Sequence, residues 1–128
     1  MSNQLVPNKI RFHKQSQLLE LCWGESCYQL SSEFLRVHSP SAEVRGHGRG
    51  NEVLQTGKKD VRLLKLEPMG NYALKLTFDD GHDTGLYNWD YLADLCQYQA
   101  VYWQRYLERL AEAGASRESG LIQFKAVD

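Results

Sequence analysis

The 128-residue chain has only three cysteines and no long apolar run, and both shortages limit the kind of protein it can be. No stretch approaches the roughly 20 apolar residues of a membrane span, so we expect no membrane association. The polar start MSNQLVPNK lacks the apolar core of a secretory signal, which favours the cytoplasm. Cys22, Cys27 and Cys96 are an odd number in a reducing compartment, which predicts free thiols.

Motifs for nucleophilic or iron-dependent catalysis are also missing. No Gly-x-Ser-x-Gly turn presents a serine, and the cysteines lie in apolar patterns where thiols are usually inert. Oxygenases that use iron and 2-oxoglutarate need two histidines and a carboxylate, usually opened by His-x-Asp/Glu. No histidine fits that opening: the second following residue is Gln15 after His13, Pro40 after His38, Arg49 after His47 and Thr84 after His82. We therefore predict that the chain is not an enzyme.

The composition that remains is ordinary for one globular domain, but its charge is unevenly distributed. Up to Lys65 there are ten Lys/Arg and six Asp/Glu, whereas the rest has five and ten, which gives +4 and −5. A basic half favours an anionic partner and an acidic half a cationic one, although an uneven solvated surface is the alternative. The net charge of −1 disfavours nucleic acid as a partner.

Hydrophobic periodicity predicts an α+β fold: a small, mostly antiparallel sheet or partial barrel with one short helix and a long C-terminal helix. Residues 31–36 form the short helix behind a serine cap, and helical spacing runs from Trp89 to Leu110 after the cap Asn88. Gly114 lies where this helix is expected to stop. The alternation of apolar and polar residues predicts strands in a hairpin over 10–23 and at 27–30, 61–66 (buried), 72–78 and 84–87.

Two segments could bind a partner. Residues 38–59 lack any periodic pattern, which predicts a long loop. Arg45 and Arg49 in this loop are candidate anion-binding residues. The alternative is that the loop is simply flexible and binds no anion. An aromatic stripe on the C-terminal helix either packs against the core or binds an unidentified protein partner. This stripe consists of Tyr102, Trp103, Tyr106, Leu107 and Leu110.

The most concentrated polar cluster is Asp79-Asp80-Gly81-His82-Asp83. Carboxylates and an imidazole at a hairpin tip can hold a metal or steer a basic partner, but hydrophilic residues at a turn need no function. A metal site would be centred on His82 and Asp80, with His38 and His47 as further ligands. Nothing in the sequence positions these residues together.

Several of these runs together resemble the gamma-butyrobetaine hydroxylase-like N-terminal domain family. They are Phe34-Leu35-Arg36, residues 39–43 (SPSAE), residues 70–74 (GNYAL) and residues 78–87 (FDDGHDTGLY), followed by Trp89. The resemblance implies such a domain over residues 1–96, with 97–128 as a helical extension and tail similar to those of small bacterial members. In carnitine-pathway hydroxylases the domain precedes the catalytic barrel, which implies a non-catalytic accessory or protein-interaction role.

The same resemblance implies where a metal would be expected. The family's domain holds a structural zinc through three cysteines and a histidine, and it also occurs fused to ATP-dependent iron–sulfur carriers. The histidine falls on His82 and the cysteines on Ser39, Ser41 and Val44. Two hydroxyls and a valine cannot replace three thiolates, so we expect no cofactor. Zinc or iron centred on His82 is the alternative.

Overall fold

Two small antiparallel sheets carry most of the fold. The computed structural model describes residues 6–45 and 52–118, and all that follows concerns these ranges. In each sheet the strands follow chain order, so every connection is a hairpin or a short loop along the sheet. The first sheet contains β1 (Lys9–His13), β2 (Leu18–Trp23) and β3 (Ser26–Ser31), and the second contains β4 (Leu63–Met69), β5 (Ala73–Phe78) and β6 (Leu86–Asn88).

Helices follow the last strand of each sheet. They are α1 (Ser32–Val37), α2 (Ala42–Arg45), α3 (Trp89–Gln97) and α4 (Gln99–Glu112). The two predicted caps are confirmed: the Ser31 hydroxyl accepts the Phe34 N–H at 3.0 Å, and the Asn88 side chain accepts the Tyr91 N–H at 2.8 Å. Each cap satisfies an N–H group that the first helical turn would otherwise leave without a partner.

The predicted α+β class, the antiparallel pairing and the long C-terminal helix are confirmed, while three details differ. The sheets do not close into a barrel. The helical region after Asn88 is divided at Tyr98, whose φ of −111° and ψ of 26° end α3 before α4 begins. The segment predicted as a continuous loop contains α2.

The prediction that residues 61–66 form a buried strand is wrong in part. Leu63 is buried, but the Leu64 side chain is 64% exposed. The register of β4 against β5 shifts between Leu63 and Lys65, so Leu63 and Leu66 contact the core whereas Leu64 lies outward. A continuous apolar run therefore did not mean burial on both faces.

One core joins both sheets with α1 and α3. Leu19 and Leu21 lie two residues apart in β2, so they share the inner face of the first sheet. They pack with α1 and α3 and with the inner face of β5. Phe34, Leu74, Phe78 and Trp89 are buried in this core, whereas Trp23 packs against it while partly exposed.

The helix α4 is fixed to this core by packing and by polar contacts. Tyr106 and Leu110 form a second apolar cluster with Val37 of α1. Just beyond the helix, the Arg117 guanidinium donates to both oxygens of the buried Glu33 at 2.8 and 2.7 Å. In the described part of the chain, no helix is long and apolar enough to cross a bilayer.

The prediction of free thiols is wrong for two cysteines. Cys22 and Cys27 occupy directly paired positions of β2 and β3, with Cα atoms 4.1 Å apart, and they form a disulfide. Spacing along the chain did not reveal the bond, because it depends on the register of the hairpin. Cys96 is free and buried, and its burial raises the pKa of its thiol to about 12.

Candidate functional site

A buried imidazole lies where the turn after β5 meets the segment after α1. His82 is 7% exposed, and its carbonyl accepts the Phe78 N–H at 3.0 Å, which closes the turn. Ser39 Oγ lies 2.8 Å and Ser41 Oγ 3.5 Å from His82 Nε2. On the other side of the ring, Nδ1 lies 3.3 Å from Glu43 Oε1. We call Ser39, Ser41, Glu43 and His82 the His82 cluster.

The imidazole of the His82 cluster is neutral near pH 7. Burial lowers the pKa of His82, and the positive charge of Arg36 lowers it further, whereas Glu43 and Asp80 act in the opposite direction. Because the net shift is downward from an ordinary value of about 6.5, the ring accepts or donates hydrogen bonds without carrying charge. Its Nδ1 therefore approaches the largely exposed Glu43 carboxylate as a neutral ring rather than as a cation.

Asp80 ties this turn to two other parts of the chain. Its Oδ2 accepts from Arg36 Nε at 2.8 Å and from Lys58 Nζ at 2.6 Å, and its Oδ1 accepts the His82 N–H at 3.1 Å. Burial alone would raise the pKa of Asp80, but these donors outweigh it and lower the pKa to about 2. The carboxylate is thus a structural anion whose two oxygens already have partners.

A close approach by Gly85 completes the cluster. A Cβ atom at this position would lie 2.5 Å from Ser39 Oγ and 3.2 Å from a ring carbon of Tyr87. Both distances are shorter than normal packing allows, so only glycine fits here without displacing the serine. The Tyr87 hydroxyl in turn donates to the Leu35 carbonyl, which holds the end of α1 against β6.

The order serine, imidazole, carboxylate resembles that of a hydrolase triad, but the surroundings do not suit that chemistry. A nucleophilic serine must reach a substrate carbonyl, whereas Ser39 is 2% exposed and lies against Gly85. The Ser41 N–H also donates to Ser39 Oγ at 3.3 Å. The Glu43 side chain is 69% exposed, so water screens the charge that would orient the ring. The arrangement is suited to holding the two segments together.

Zinc does not fit the His82 cluster. The structure does bring Ser39 and Ser41 to His82, as the resemblance implied, but hydroxyls stand where zinc needs thiolates. Val44 of α2 is buried and carries no donor atom. Within residues 6–45 and 52–118, one group of at least three His, Cys, Asp or Glu side chains has donor atoms close enough to share an ion. It consists of Glu20, Cys22 and Cys27 and does not include His82.

The other predicted ligands are not gathered at His82. His38 Nδ1 contacts the Phe34 carbonyl at 2.9 Å, and its ring lies 4.4 Å from that of Phe34 and 6.0 Å from that of Tyr102, between centroids. Burial lowers the pKa of His38. His47 lies outside the described residues. Metal binding by this set stays a prediction without a shared geometry.

A second candidate site is a cleft of about 1010 Å³ lined by α3, α4 and parts of residues 37–45 and 52–55, which we call the α4 cleft. Its walls combine aromatic rings with arginines, a combination that favours binding of planar or anionic groups. Two carboxylates, Glu52 and Asp94, also line it. The rings are His38, Tyr91, Tyr102 and Tyr106, and the arginines are Arg45, Arg105 and Arg109.

The cleft walls are fixed by hydrogen bonds of the tyrosine hydroxyls. Tyr102 donates to Asp94 Oδ2 at 2.7 Å, and this bond raises the pKa of Tyr102 to about 12. Tyr106 donates to the Gln55 carbonyl at 2.7 Å, and Tyr91 to the His38 carbonyl at 2.5 Å. Each bond joins a helix to the segment across the cleft or to the neighbouring helix, so the rings are held in place before any ligand arrives.

The arginines lie along this wall. The Arg45 guanidinium is 5.3 Å from the ring centre of Tyr91, and that of Arg105 is 5.9 Å from the ring centre of Tyr102. Arg109 donates to the Glu52 carbonyl at 2.9 Å. Three guanidiniums against two carboxylates give the lining an excess of one positive charge.

The predicted partner-binding stripe faces mainly inward. Tyr106 and Leu110 are buried in their own chain, and Tyr102 and Trp103 are half-buried against the core. Sequence analysis missed Arg105 and Arg109, although their spacing of three and seven residues from Tyr102 places all three on one side of a helix. Of the predicted anion-binding pair, Arg45 lines the cleft and Arg49 lies outside the described residues.

Comparison with known proteins identifies the family to which the chain belongs. A model of the family described as gamma-butyrobetaine hydroxylase-like, N-terminal, matches residues 10–93. Among curated proteins, no sequence match reached significance.

Three solved structures are similar to the chain. Two are solution structures determined by NMR: one shares 52% identity over 97% of this chain and 98% of its own, with a TM-score of 0.82. The other shares 44% identity over 98% and 99% of the two chains, with a TM-score of 0.77. The third is a crystal structure of a DUF971 family protein of unknown function from Acidithiobacillus ferrooxidans. It shares 33% identity over 74% of this chain and 97% of its own, with a TM-score of 0.60.

The close packing of Gly85 on Ser39 can be tested by a double-mutant cycle. We expect Gly85→Ala to lower the free energy of unfolding by about 1–3 kcal/mol, because the added methyl group overpacks the site. In a Ser39→Ala background the same change should cost less, since the Oγ atom it would strike is gone. Urea unfolding of the four proteins measures this coupling. Equal costs in both backgrounds would contradict the contact.

The neutral state of His82 predicts how stability depends on pH. The unfolded chain gains the His82 proton near pH 6.5, while the folded chain gains it only at lower pH, so the free energy of unfolding falls as pH drops below about 6.5. The slope for one such group is at most about 1.4 kcal/mol per pH unit. His82→Gln should flatten this slope in urea unfolding between about pH 7 and pH 5. An unchanged slope would show that His82 does not titrate as described.

Proposed function

Because the chain belongs to the gamma-butyrobetaine hydroxylase-like N-terminal domain family, we propose that it is a non-catalytic binding module whose partner inserts a segment into the α4 cleft. The observation that carries the proposal is the cleft itself: an aromatic and arginine-rich groove whose walls are fixed by tyrosine hydrogen bonds. A site shaped before binding loses less entropy when a ligand arrives.

The charge of the cleft supports one chemical class of partner. Its lining has three guanidiniums and two carboxylates, and the Asp94 carboxylate is already engaged by the Tyr102 hydroxyl. Guanidiniums form strong, paired hydrogen bonds with carboxylates, and tyrosine rings offer apolar area at a small entropic cost. The proposed occupant is therefore a protein segment that presents Asp or Glu beside an apolar or aromatic residue.

Two candidate nucleophiles in the described ranges are inaccessible, which supports a role without catalysis. Ser39 is 2% exposed, and the free Cys96 is a buried thiol with a raised pKa. Neither group is placed to attack a substrate. Metal chemistry at His82 is not part of this proposal, because no observation favours it over the hydroxyl contacts.

A charge-reversal experiment tests the proposal. Arg105 is exposed at the cleft, so Arg105→Glu should leave the fold intact while repelling an acidic segment. Lys65→Glu, on β4 with its side chain 62% exposed, changes the net charge equally and serves as the matched control. A display library of random short peptides selected on the wild-type chain should yield peptides rich in Asp or Glu. Their affinity should fall by about tenfold in Arg105→Glu and stay unchanged in Lys65→Glu.

Other outcomes of the same experiment would overturn the proposal. Peptides without acidic residues, or peptides whose affinity ignores Arg105, would show that the cleft is not the acidic-segment site. A labelled single-stranded oligonucleotide that binds with the same dependence on Arg105, and displaces the peptides, would assign the cleft to nucleic acid instead. Circular dichroism of both variants establishes that the fold is preserved.

A further inference from the structure

The face of the first sheet opposite Leu19 and Leu21 carries a group of donors that neither the α4 cleft nor the His82 cluster uses. Within this group Cys22 is fully buried and Cys27 is exposed. Cys22 and Cys27 face each other across β2 and β3. Glu20 precedes Cys22 by two residues in β2, so the strand period places its side chain on the same face. The two sulfurs and a carboxylate oxygen all lie within 4.8 Å of one another, and Glu20 Oε2 is 3.8 Å from Cys22 Sγ.

We propose that Glu20, Cys22 and Cys27 bind one zinc-class divalent cation when the disulfide between the cysteines is reduced. Zinc binds thiolate sulfur at about 2.3 Å and carboxylate oxygen at about 2.0–2.2 Å, so donors around one ion lie roughly 3–4 Å apart. Glu20 Oε2 and Cys22 Sγ already lie 3.8 Å apart, and reduction frees the two bonded sulfurs to move apart to a similar distance. Two thiolates select zinc over magnesium or calcium, which prefer oxygen ligands.

A neighbouring histidine orients the carboxylate. His13 Nε2 lies 3.0 Å from Glu20 Oε1, and a hydrogen bond there leaves Oε2 directed at Cys22 Sγ. Ligating carboxylates in metal sites are commonly held by such a second partner. His13 is thus a positioning residue, and a solvent molecule completes the coordination on the side where Cys27 is exposed.

The surroundings also suit the charge of the site. Two thiolates and one carboxylate carry three negative charges against two on the metal, which leaves one in excess. Lys9 is paired with Cys22 across β1 and β2, and both Lys9 and Arg11 act on Glu20 with positive charge. These cations offset the remaining negative charge of the occupied site.

Occupancy depends on the redox state of the cysteines. A dithiol reductant supplies two electrons and two protons through thiol–disulfide exchange: the Cys22–Cys27 bond breaks, two thiols form, and the reductant becomes a disulfide. The metal ion then displaces one proton from each thiol as the two metal–sulfur bonds form. The oxidised chain therefore offers no thiolate at this site, and metal binding reports reduction of the Cys22–Cys27 disulfide.

Cobalt binding by the reduced full-length chain tests the proposal. Co²⁺ alone, added without oxygen after the dithiol is removed, should bind at one equivalent with thiolate-to-cobalt charge-transfer absorption, and zinc should displace it. The oxidised chain should show no such absorption. Cys22→Ser and Cys27→Ser should abolish it, and Glu20→Gln should weaken binding about tenfold or more. Cys96→Ser should bind as the wild type does.

Several results would overturn the proposal. A reduced chain that retains its circular dichroism but shows no charge-transfer absorption has no thiolate site. Absorption that survives Cys27→Ser, or that disappears in Cys96→Ser, would place the metal elsewhere. Unaltered affinity in Glu20→Gln, a change that leaves both cysteines in place, would remove the carboxylate from the ligand set.

Discussion

The contact between Ser39 Oγ and His82 Nε2, 2.8 Å long and buried, joins the segment that follows α1 to the turn that follows β5. Among the described residues no backbone hydrogen bond joins these two segments, so side chains hold them together. The histidine remains neutral because burial lowers its pKa, which lets the pair form without an uncompensated buried charge. Gly85 is part of the same constraint, because any larger residue would push the serine away.

The rest of the molecule is arranged around this junction. Asp80, in the turn, receives Arg36 from α1 and Lys58 from the segment leading to β4. Immediately beyond Ser39, α2 contributes Arg45 to the α4 cleft, so the junction also places one wall of the binding surface. In the chain as described, every buried side-chain nitrogen or oxygen has a hydrogen-bond partner, so burying these polar groups leaves none of them unpaired.

Sequence reasoning reached the features that depend on local pattern or on the family resemblance. The serine and asparagine caps follow from one hydroxyl and one amide at the starts of helices, and alternation located the strand Ala73–Phe78. The resemblance identified Ser39, Ser41 and His82 as neighbours although 41 residues or more separate the serines from the histidine.

What the sequence did not reveal depends on register and on packing between distant segments. The bond between Cys22 and Cys27 requires that the two residues pair across a hairpin, and a shift of one residue would have separated them. The α4 cleft requires α4 to lie near residues 37–45 and 52–55, which no local pattern specifies. The sequence did not reveal the end of α3 at Tyr98 either, because the apolar residues keep their helical spacing across it.

Elemental analysis of the untagged protein, beside its His82→Ala variant, shows whether serine hydroxyls and a neutral imidazole hold the junction without an ion. We expect the same zinc and iron content in both proteins, because the junction needs no ion at the imidazole. One equivalent of zinc or iron in the wild type that is lost from His82→Ala would contradict it.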